Sequence, residues 1–321
     1  MMRIPPGDID VLTIGETVVD MISTEETDSL LDAYTFRKHA GGAPANLATN
    51  VSRLGGRAAT ISKTGAGPFG QFLKAELDRA GVITDHLVMT PEHNSSVIFN
   101  SRTSGTAESQ ALRDADYHLE PSEISEGLIR SAKIIHASAF ALSRNPSRSA
   151  IEKAFRIAEG YGKIISLDPN YHRPIWPQPA EAVAVLSRMF AFATVTKPSL
   201  DDAVRLFGPG QTSEWYIARF HDMGPEVVVL TMGSAGTLVS ERGQLVHIPA
   251  RAIEVVDATG AGDAFWSGFL MALLDGNSLQ RCALFAREVV ERKLAAVGPL
   301  SAQIDRQEIY ARINFSDATT N

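Results

Sequence analysis

Two short stretches carry residue types and spacings suited to chemistry. The first, Asp257 to Phe265, reads DATGAGDAF: three Gly or Ala steps lead to a carboxylate, Asp263, at the threshold of a long apolar helix pattern. The backbone N–H groups of Gly260, Ala261 and Gly262 at a helix N-terminus would form a hole for phosphate, or for charge developing on it. A carboxylate beside such a hole could take the proton of an alcohol attacking the phosphorus. Asp263 also has an architectural reading, because negative charge is favoured in a first helical turn whatever the chemistry. The second stretch, Ala40 to Ala48, reads AGGAPANLA. Gly41 and Gly42 allow close backbone approach or positive φ, and Asn46 offers a donor and an acceptor to a polyol near the helix start. A bare Gly-Gly is equally a simple loop-to-helix turn. Glu16 and Asp20 lie just past the first strand pattern, where open α/β sheets bind ligands. Asp20 could grip sugar hydroxyls or be a solvated loop acid.

Other motifs are weaker. GGRAATISKTG fails as a phosphate loop of the Walker type, since Ser62 stands where the glycine before Lys63 should be. No G-x-G-x-x-G follows the first strand, and no His or Cys spacing suits zinc. The single cysteine, Cys282, sits at a helical apolar position and reads as a core thiol.

The elements that must position these residues alternate along the chain. DVLTIGE, AATISKTG, AKIIHAS, KIISLDPN, AFATVTK and EVVVLTMG are short apolar runs bounded by Gly, Pro or polar residues, as strands covered on both faces should be. Between them APANLATNVSRLGG, FGQFLKAELDRAG and SRSAIEKAFRIAEGYG carry helical spacing, the first with Pro44 near its start and Gly55 past its end. This alternation predicts a three-layer α/β/α sandwich with a mainly parallel central sheet. Residues 17–40 and 95–120 break the pattern with short alternating stretches such as SVIFNSR. They predict a small β-sheet lid rather than long irregular loops. With no repeat or Pro-rich linker, residues 1–321 are expected to form a single domain.

Composition limits the partners. The chain has 321 residues, 44% hydrophobic and 21% charged, with 30 basic against 37 acidic residues, which suits a globular protein with a sizeable core. No run of Lys or Arg stands out, so neither nucleic acid nor a membrane surface is an expected partner. No apolar stretch suits a signal peptide or a membrane span, and the expected location is cytoplasmic.

Taken together, GGAPANLA and DATGAGDAF resemble the two signatures of the ribokinase-like (pfkB-type) carbohydrate kinases. The resemblance runs through GETVVD, SLDPNYHRPIWP, TKPSLDD and TMGSAGTLV, covering essentially the whole chain. It implies ATP-dependent phosphorylation of a sugar hydroxyl, with Asp263 as base and the backbone of Gly260, Ala261 and Gly262 as anion hole. By the same match Asp20, Gly41, Gly42, Asn46, Asn170 and Arg173 would bind substrate. Lys197, Thr231, Gly233, Gly236 and Gly262 would meet the nucleotide. Asp202 would serve Mg2+ through water, Asp257 a monovalent cation such as K+, and the lid a homodimer. Magnesium would arrive with ATP, because phosphoryl transfer needs the β and γ oxygens neutralised.

The chain departs from the family pattern in places. The family's N-x-x-E reads Ser199-Leu-Asp-Asp202, the arginine of D-P-N-x-R is displaced by one to Arg173 behind His172, and the usual D-T is Asp257-Ala258. Arg287 stands where a small or amide residue commonly lines the adenine pocket. Ala43-Pro44, DPNYHRPIWP and TKPSLDD resemble fructokinases, so fructose is the expected sugar. The alternatives are a 2-keto-3-deoxygluconate or nucleoside kinase, or a sugar- or nucleotide-binding homologue without catalysis. The intact GAGD speaks against the last, since a pure binder has no need of a base beside an anion hole.

Overall fold

Successive side chains of a strand point to opposite faces, so a run apolar at every position can only be satisfied between two layers. In the computed structural model, which describes residues 2–103, 108–176, 178–296, 300 and 302–318, this is where those runs lie. The strands are β1 (Ile9–Ile14), β2 (Val18–Glu26), β3 (Phe36–Gly41), β4 (Ala58–Gly65), β5 (Ile83–Thr90), β6 (Val97–Arg102), β7 (Ser109–Leu112), β8 (Ala132–Ser138), β9 (Ile164–Asp168), β10 (Val195–Thr196), β11 (Val227–Thr231), β12 (Thr237–Glu241) and β13 (Gln244–Ile248). The helices are α1 (Ala43–Arg53), α2 (Pro68–Ala80), α3 (Glu126–Ser131), α4 (Ala139–Leu142), α5 (Ser147–Gly160), α6 (Pro179–Phe190), α7 (Leu200–Phe207), α8 (Ser213–Asp222), α9 (Ala261–Leu274), α10 (Leu279–Leu294) and α11 (Arg306–Ala318).

The large sheet has the order β13-β12-β11-β10-β9-β8-β1-β4-β5 and is parallel from β11 to β5. Neighbouring residues feed two separate cores. Ile134, Ile164, Val227 and Val229 pack with Phe265, Phe269 and Phe285 of α9 and α10 on one face. Ile135, Ile165, Val228 and Leu230 pack with Phe155, Leu186 and Phe220 of α5, α6 and α8 on the other. The three-layer, mainly parallel architecture expected from the sequence is therefore present. Three strands were not legible in it. β5 alternates in burial, and the edge pair β12 and β13 runs antiparallel with an exposed outer strand. β5 and β13 are partly exposed and lack a continuous apolar run, and β12, though largely buried, is a short TLVSE in which polar residues leave only two consecutive apolar positions. The run AFATVTK yields only the two-residue β10.

The two segments that break the alternation build a second, four-stranded sheet of order β3-β2-β6-β7, with β2 parallel to β6. Residues 104–107 of the expected 95–120 segment lie outside the described residues, as does Pro177 of the family-like SLDPNYHRPIWP. In the large sheet β1 lies between β4 and β8, so the chain winds outward from β1 in both directions. The crevice beyond the strand C-termini at such a reversal is where open sheets hold ligands.

Candidate active site

Asp263 is delivered by a strand-free turn rather than by a strand. Gly260 caps α9 at φ 73°, in the left-handed region, where glycine meets no Cβ penalty. The turn closes when Ala261 N donates to Ala258 O at 3.1 Å, and the first helical bond is Ala264 N to Gly260 O at 3.0 Å. Of the three expected hole donors, Ala261 is thus already engaged. Among the described residues the N–H groups of Gly260, Gly262 and Asp263 have no protein acceptor, and Gly262 is exposed. A helix of this length adds a positive partial charge at that end.

Asn46, one turn into α1, donates from Nδ2 to Asp263 Oδ2 at 2.9 Å. The two signature stretches, 217 residues apart, therefore meet directly. α1 can begin there because Gly42 takes φ 97°, and a Cβ on it would come within 2.5 Å of Glu16 O. The Glu16 carboxylate holds the same corner, accepting from Ala43 N at 3.2 Å and from Ser138 Oγ at 2.9 Å. Burial pushes Glu16 up to about 8. Asp20 projects from β2 against Gly41, where a Cβ would lie 2.0 Å from Asp20 Oδ2. Only a glycine leaves that carboxylate its place.

Electrostatics couple the two acids. Burial first, and then the Asp263 charge, raise Asp20 to about 7, against a contact from Asn100 Nδ2 at 3.5 Å. Asp263 is also held up to about 7, mainly by burial; the Asn46 amide and Lys197 oppose the rise and Asp168 adds to it. A carboxyl with that poise is half ionised near neutrality, the range suited to a general base.

Beneath the turn lies a buried ion pair, Lys197 Nζ to Asp168 Oδ2 at 3.0 Å, with both side chains 5% exposed. Both residues stand at the C-terminal ends of adjacent strands, β9 and β10. Burial pulls the Lys197 ammonium down, but Asp168, Asp202 and Asp263 together carry it above its usual range. Burial raises Asp168 despite the pull of Lys197. The partners thus move in opposite senses for the charged pair, and the 3.0 Å contact identifies it as an ion pair. Lys197 Nζ would lie 3.3 Å from a Cβ on Gly262, so its positive charge sits directly under the candidate anion hole. Deeper still, Ser166 Oγ accepts from Trp266 Nε1 at 2.8 Å and lies 2.9 Å from His136 Nδ1. Burial and Lys197 lower His136 to about 3, so it is neutral.

The remaining expected residues are dispersed. Thr231, Gly233 and Gly236 form the end of β11 and the turn into β12, and Thr231 N donates to Pro198 O at 3.0 Å next to Lys197. Asn170 (φ 29°) is exposed after β9, with its N–H on Asp168 Oδ1 at 3.1 Å. Arg173 is exposed, and neither Asn170 nor Arg173 contacts the Asp20–Asp263 cluster among the described residues. Arg287 donates to Pro249 O at 3.0 Å, tying α10 to the loop after β13.

Two residues expected to serve ions have protein partners. Asp202 forms a capping box at the start of α7. Its Oδ2 accepts from Ser199 N at 3.0 Å and Ser199 Oγ at 2.6 Å, and its Oδ1 from Tyr171 N at 2.7 Å. Of about four acceptor positions on a carboxylate, one is left, which fits magnesium held through water and not directly. Asp257 receives Lys293, whose Nζ donates to Asp257 O at 2.8 Å and lies 3.1 Å from Asp257 Oδ2.

The sequence patterns give Glu16 and Asp168 no settled role, and Asn100 and Lys293 none. Asp168 carried a usable signal, an acid ending a buried strand. Asn100 and Lys293 carried none, since each reads as an ordinary polar residue of its element.

Comparison with known proteins identifies the family. A family model described as pfkB family carbohydrate kinase matches residues 8–297. The ATP-dependent 6-phosphofructokinase of Thermoanaerobacterium thermosaccharolyticum is 37% identical over 291 residues, 91% of this chain and 89% of that one. The solved structure of Halothermothrix orenii fructokinase superposes with a TM-score of 0.78 at 37% identity, covering 91% of this chain and 100% of that one. A fructokinase double mutant from Vibrio cholerae O395, in fructose-, ADP- and potassium-bound form, gives a TM-score of 0.83 at 28% identity over 95% of this chain and 98% of that one.

Proposed function

Because the chain belongs to the pfkB family of carbohydrate kinases and is thereby an ATP-dependent sugar kinase, we propose that Asp263 is its general base and fructose its acceptor. The observation that carries this reading is the meeting of Asn46 and Asp263 beside free helix N–H groups. Asn46 occupies Oδ2 of Asp263 and leaves Oδ1 to face a sugar hydroxyl, while Asp20 and Gly41 line the sugar's other side. As the hydroxyl oxygen bonds to the γ-phosphorus and the bond to the β-phosphate oxygen breaks, the hydroxyl proton passes to Asp263. The N–H groups of Gly262 and Asp263, with Lys197 beneath them, stabilise the charge on the transferring group. Bound with the nucleotide, magnesium would neutralise its oxygens, and Asp202 would be the residue that serves it through water. Thr231, Gly233 and Gly236 are the nucleotide-side turn in this reading. Residues 1–321 work as one ribokinase-like domain, with 17–40 and 95–120 as the lid over the site.

The test of substrate is ADP release with fructose, fructose 6-phosphate, other hexoses, ribose, 2-keto-3-deoxygluconate and nucleosides. Fructose is expected to give the highest kcat/KM. Fructose 6-phosphate is the second reading, favoured by the name of the 37% identical relative. It is also favoured by a cleft of about 1120 Å³ lined in part by Arg144 and His172. Arg144 is exposed and has no ion pair among the described residues, so it is available to a second phosphate. Preference for fructose 6-phosphate would replace the first reading with the second, and no turnover with any acceptor would overturn both.

The pH profile tests the base. Asp263 and Asp20 titrate as a coupled pair, both raised to about 7. The base works ionised, so activity is lost as pH falls through the raised value: kcat/KM should drop about tenfold per pH unit below it and level off above it. A profile flat down to roughly pH 5 would mean a base in the ordinary carboxylate range.

Homodimerisation through the lid is supported by Leu31 and Tyr34, apolar side chains 88% and 83% exposed beside the small sheet. Light scattering on the purified protein reads it directly. No helix of the described residues is long and apolar enough to cross a membrane.

A further inference from the structure

The loop Asp257–Gly260 runs straight into the N-terminus of α9, so whatever holds Asp257 also sets the aim of Gly262 and Asp263. The expected occupant is a monovalent cation, and the potassium-bound relative shows that a protein with this fold can contain one. The residues present here do not fit that expectation. Lys293, in the last turn of α10, is 2% exposed. Its Nζ donates to Asp257 O at 2.8 Å, lies 3.1 Å from Asp257 Oδ2, and reaches Ala296 O at 3.4 Å. Two carbonyl oxygens and one carboxylate oxygen around a buried point are what a dehydrated monovalent cation would seek, and an ammonium supplies the same charge with three directed donors. The other oxygen of Asp257 accepts from Thr259 N at 2.9 Å, so one carboxylate links the ammonium to the turn. Lys293, Thr259, Gly260, Asn46 and Asp20 border one small cavity, which places the ammonium against the site itself.

We propose that the Lys293 ammonium is a built-in replacement for the monovalent cation, holding the Asp257–Gly260 turn in place so that turnover needs no potassium. A tethered cation is present at every potassium concentration and costs no binding entropy when the turn is formed. The inference rests on the reading of the α9 N-terminus as the phosphoryl site, but its test includes a readout that requires no turnover.

The experiment compares the wild-type protein with Lys293→Ala and Lys293→Met in buffers containing potassium chloride or tetramethylammonium chloride at equal ionic strength. Wild-type kcat is expected to be the same in both. Without potassium, Lys293→Ala is expected to lose about a hundredfold in kcat, the cost of displacing a catalytic turn by roughly 1 Å. Potassium should restore much of that loss in Lys293→Ala, where the emptied cage admits an ion, and little in Lys293→Met, whose side chain fills it. The Tm, which needs no substrate, should rise with potassium in Lys293→Ala and not in the wild type. A several-fold stimulation of the wild type by potassium, or a potassium-dependent rise in its Tm, would overturn the proposal even if neither variant folds. An inactive wild type whose Tm ignores potassium would sink the phosphoryl-site reading and leave the cage assignment standing.

Discussion

Asp263→Asn is expected to lower kcat by about 10²–10⁴-fold, the usual worth of a positioned base, while the sugar KM stays nearly unchanged. The amide keeps the shape of the carboxylate and can still accept from Asn46 through its oxygen, so the contact between the two signature stretches survives. On the proposed reading, what disappears is the ability to take the hydroxyl proton. Loss of folding is a poor rival explanation. Burial already holds Asp263 up to about 7, so above that pH its charge opposes the folded state, and a neutral isostere removes that opposition. The variant should therefore melt at or above the wild-type temperature at mildly alkaline pH. Steady-state kinetics with a melting curve separate the outcomes, and near-normal turnover would show that another group takes the proton.

Lys197→Met should produce the largest loss of stability. Lys197 and Asp168 are each 5% exposed and 3.0 Å apart, and removing the ammonium strands a carboxylate in the protein interior. Breaking one side of such a pair costs about 3–5 kcal/mol, whereas replacing both partners with neutral groups is often close to harmless. The double variant Lys197→Met, Asp168→Asn should therefore recover most of the urea midpoint lost by the single one. Asp168 is already raised by burial, and without its partner it rises further. The deficit of the single variant should accordingly shrink as pH falls and Asp168 protonates. A single variant as stable as the wild type would mean that the pair contributes nothing to the fold. Activity should fall in both variants, because the positive charge under Gly262 is gone from each.

Much of this protein could be read from neighbouring residues. The buried strands β1, β4, β8, β9 and β11 announce themselves as continuous apolar runs, and α1 and α2 by helical spacing with Pro near their starts. The partly exposed strands β5 and β13 and the short, polar-interrupted β12 did not, because their burial depends on which element covers them and not on their own pattern. Asp263 was legible for a similar local reason: a Gly-Ala-Gly turn followed by an acid and an apolar helix defines a helix N-terminus wherever it occurs. The family resemblance then pointed to its chemistry.

The contacts that decide the site lie beyond that local range. Asn46 meets Asp263 across 217 residues, and Lys293 meets Asp257 across 36. By the family resemblance Asp257 was expected to hold a monovalent cation, as Asp202 was to serve magnesium, and Lys293 had no assigned role. Secondary structure and turns depend on near neighbours, so the sequence alone determined the layered sheet, the two glycine turns and the candidate base. Which ammonium enters which oxygen cage, and which carboxylates are raised toward neutrality, depend on burial and on partners brought together only when the layers pack. Those were decided by the tertiary structure.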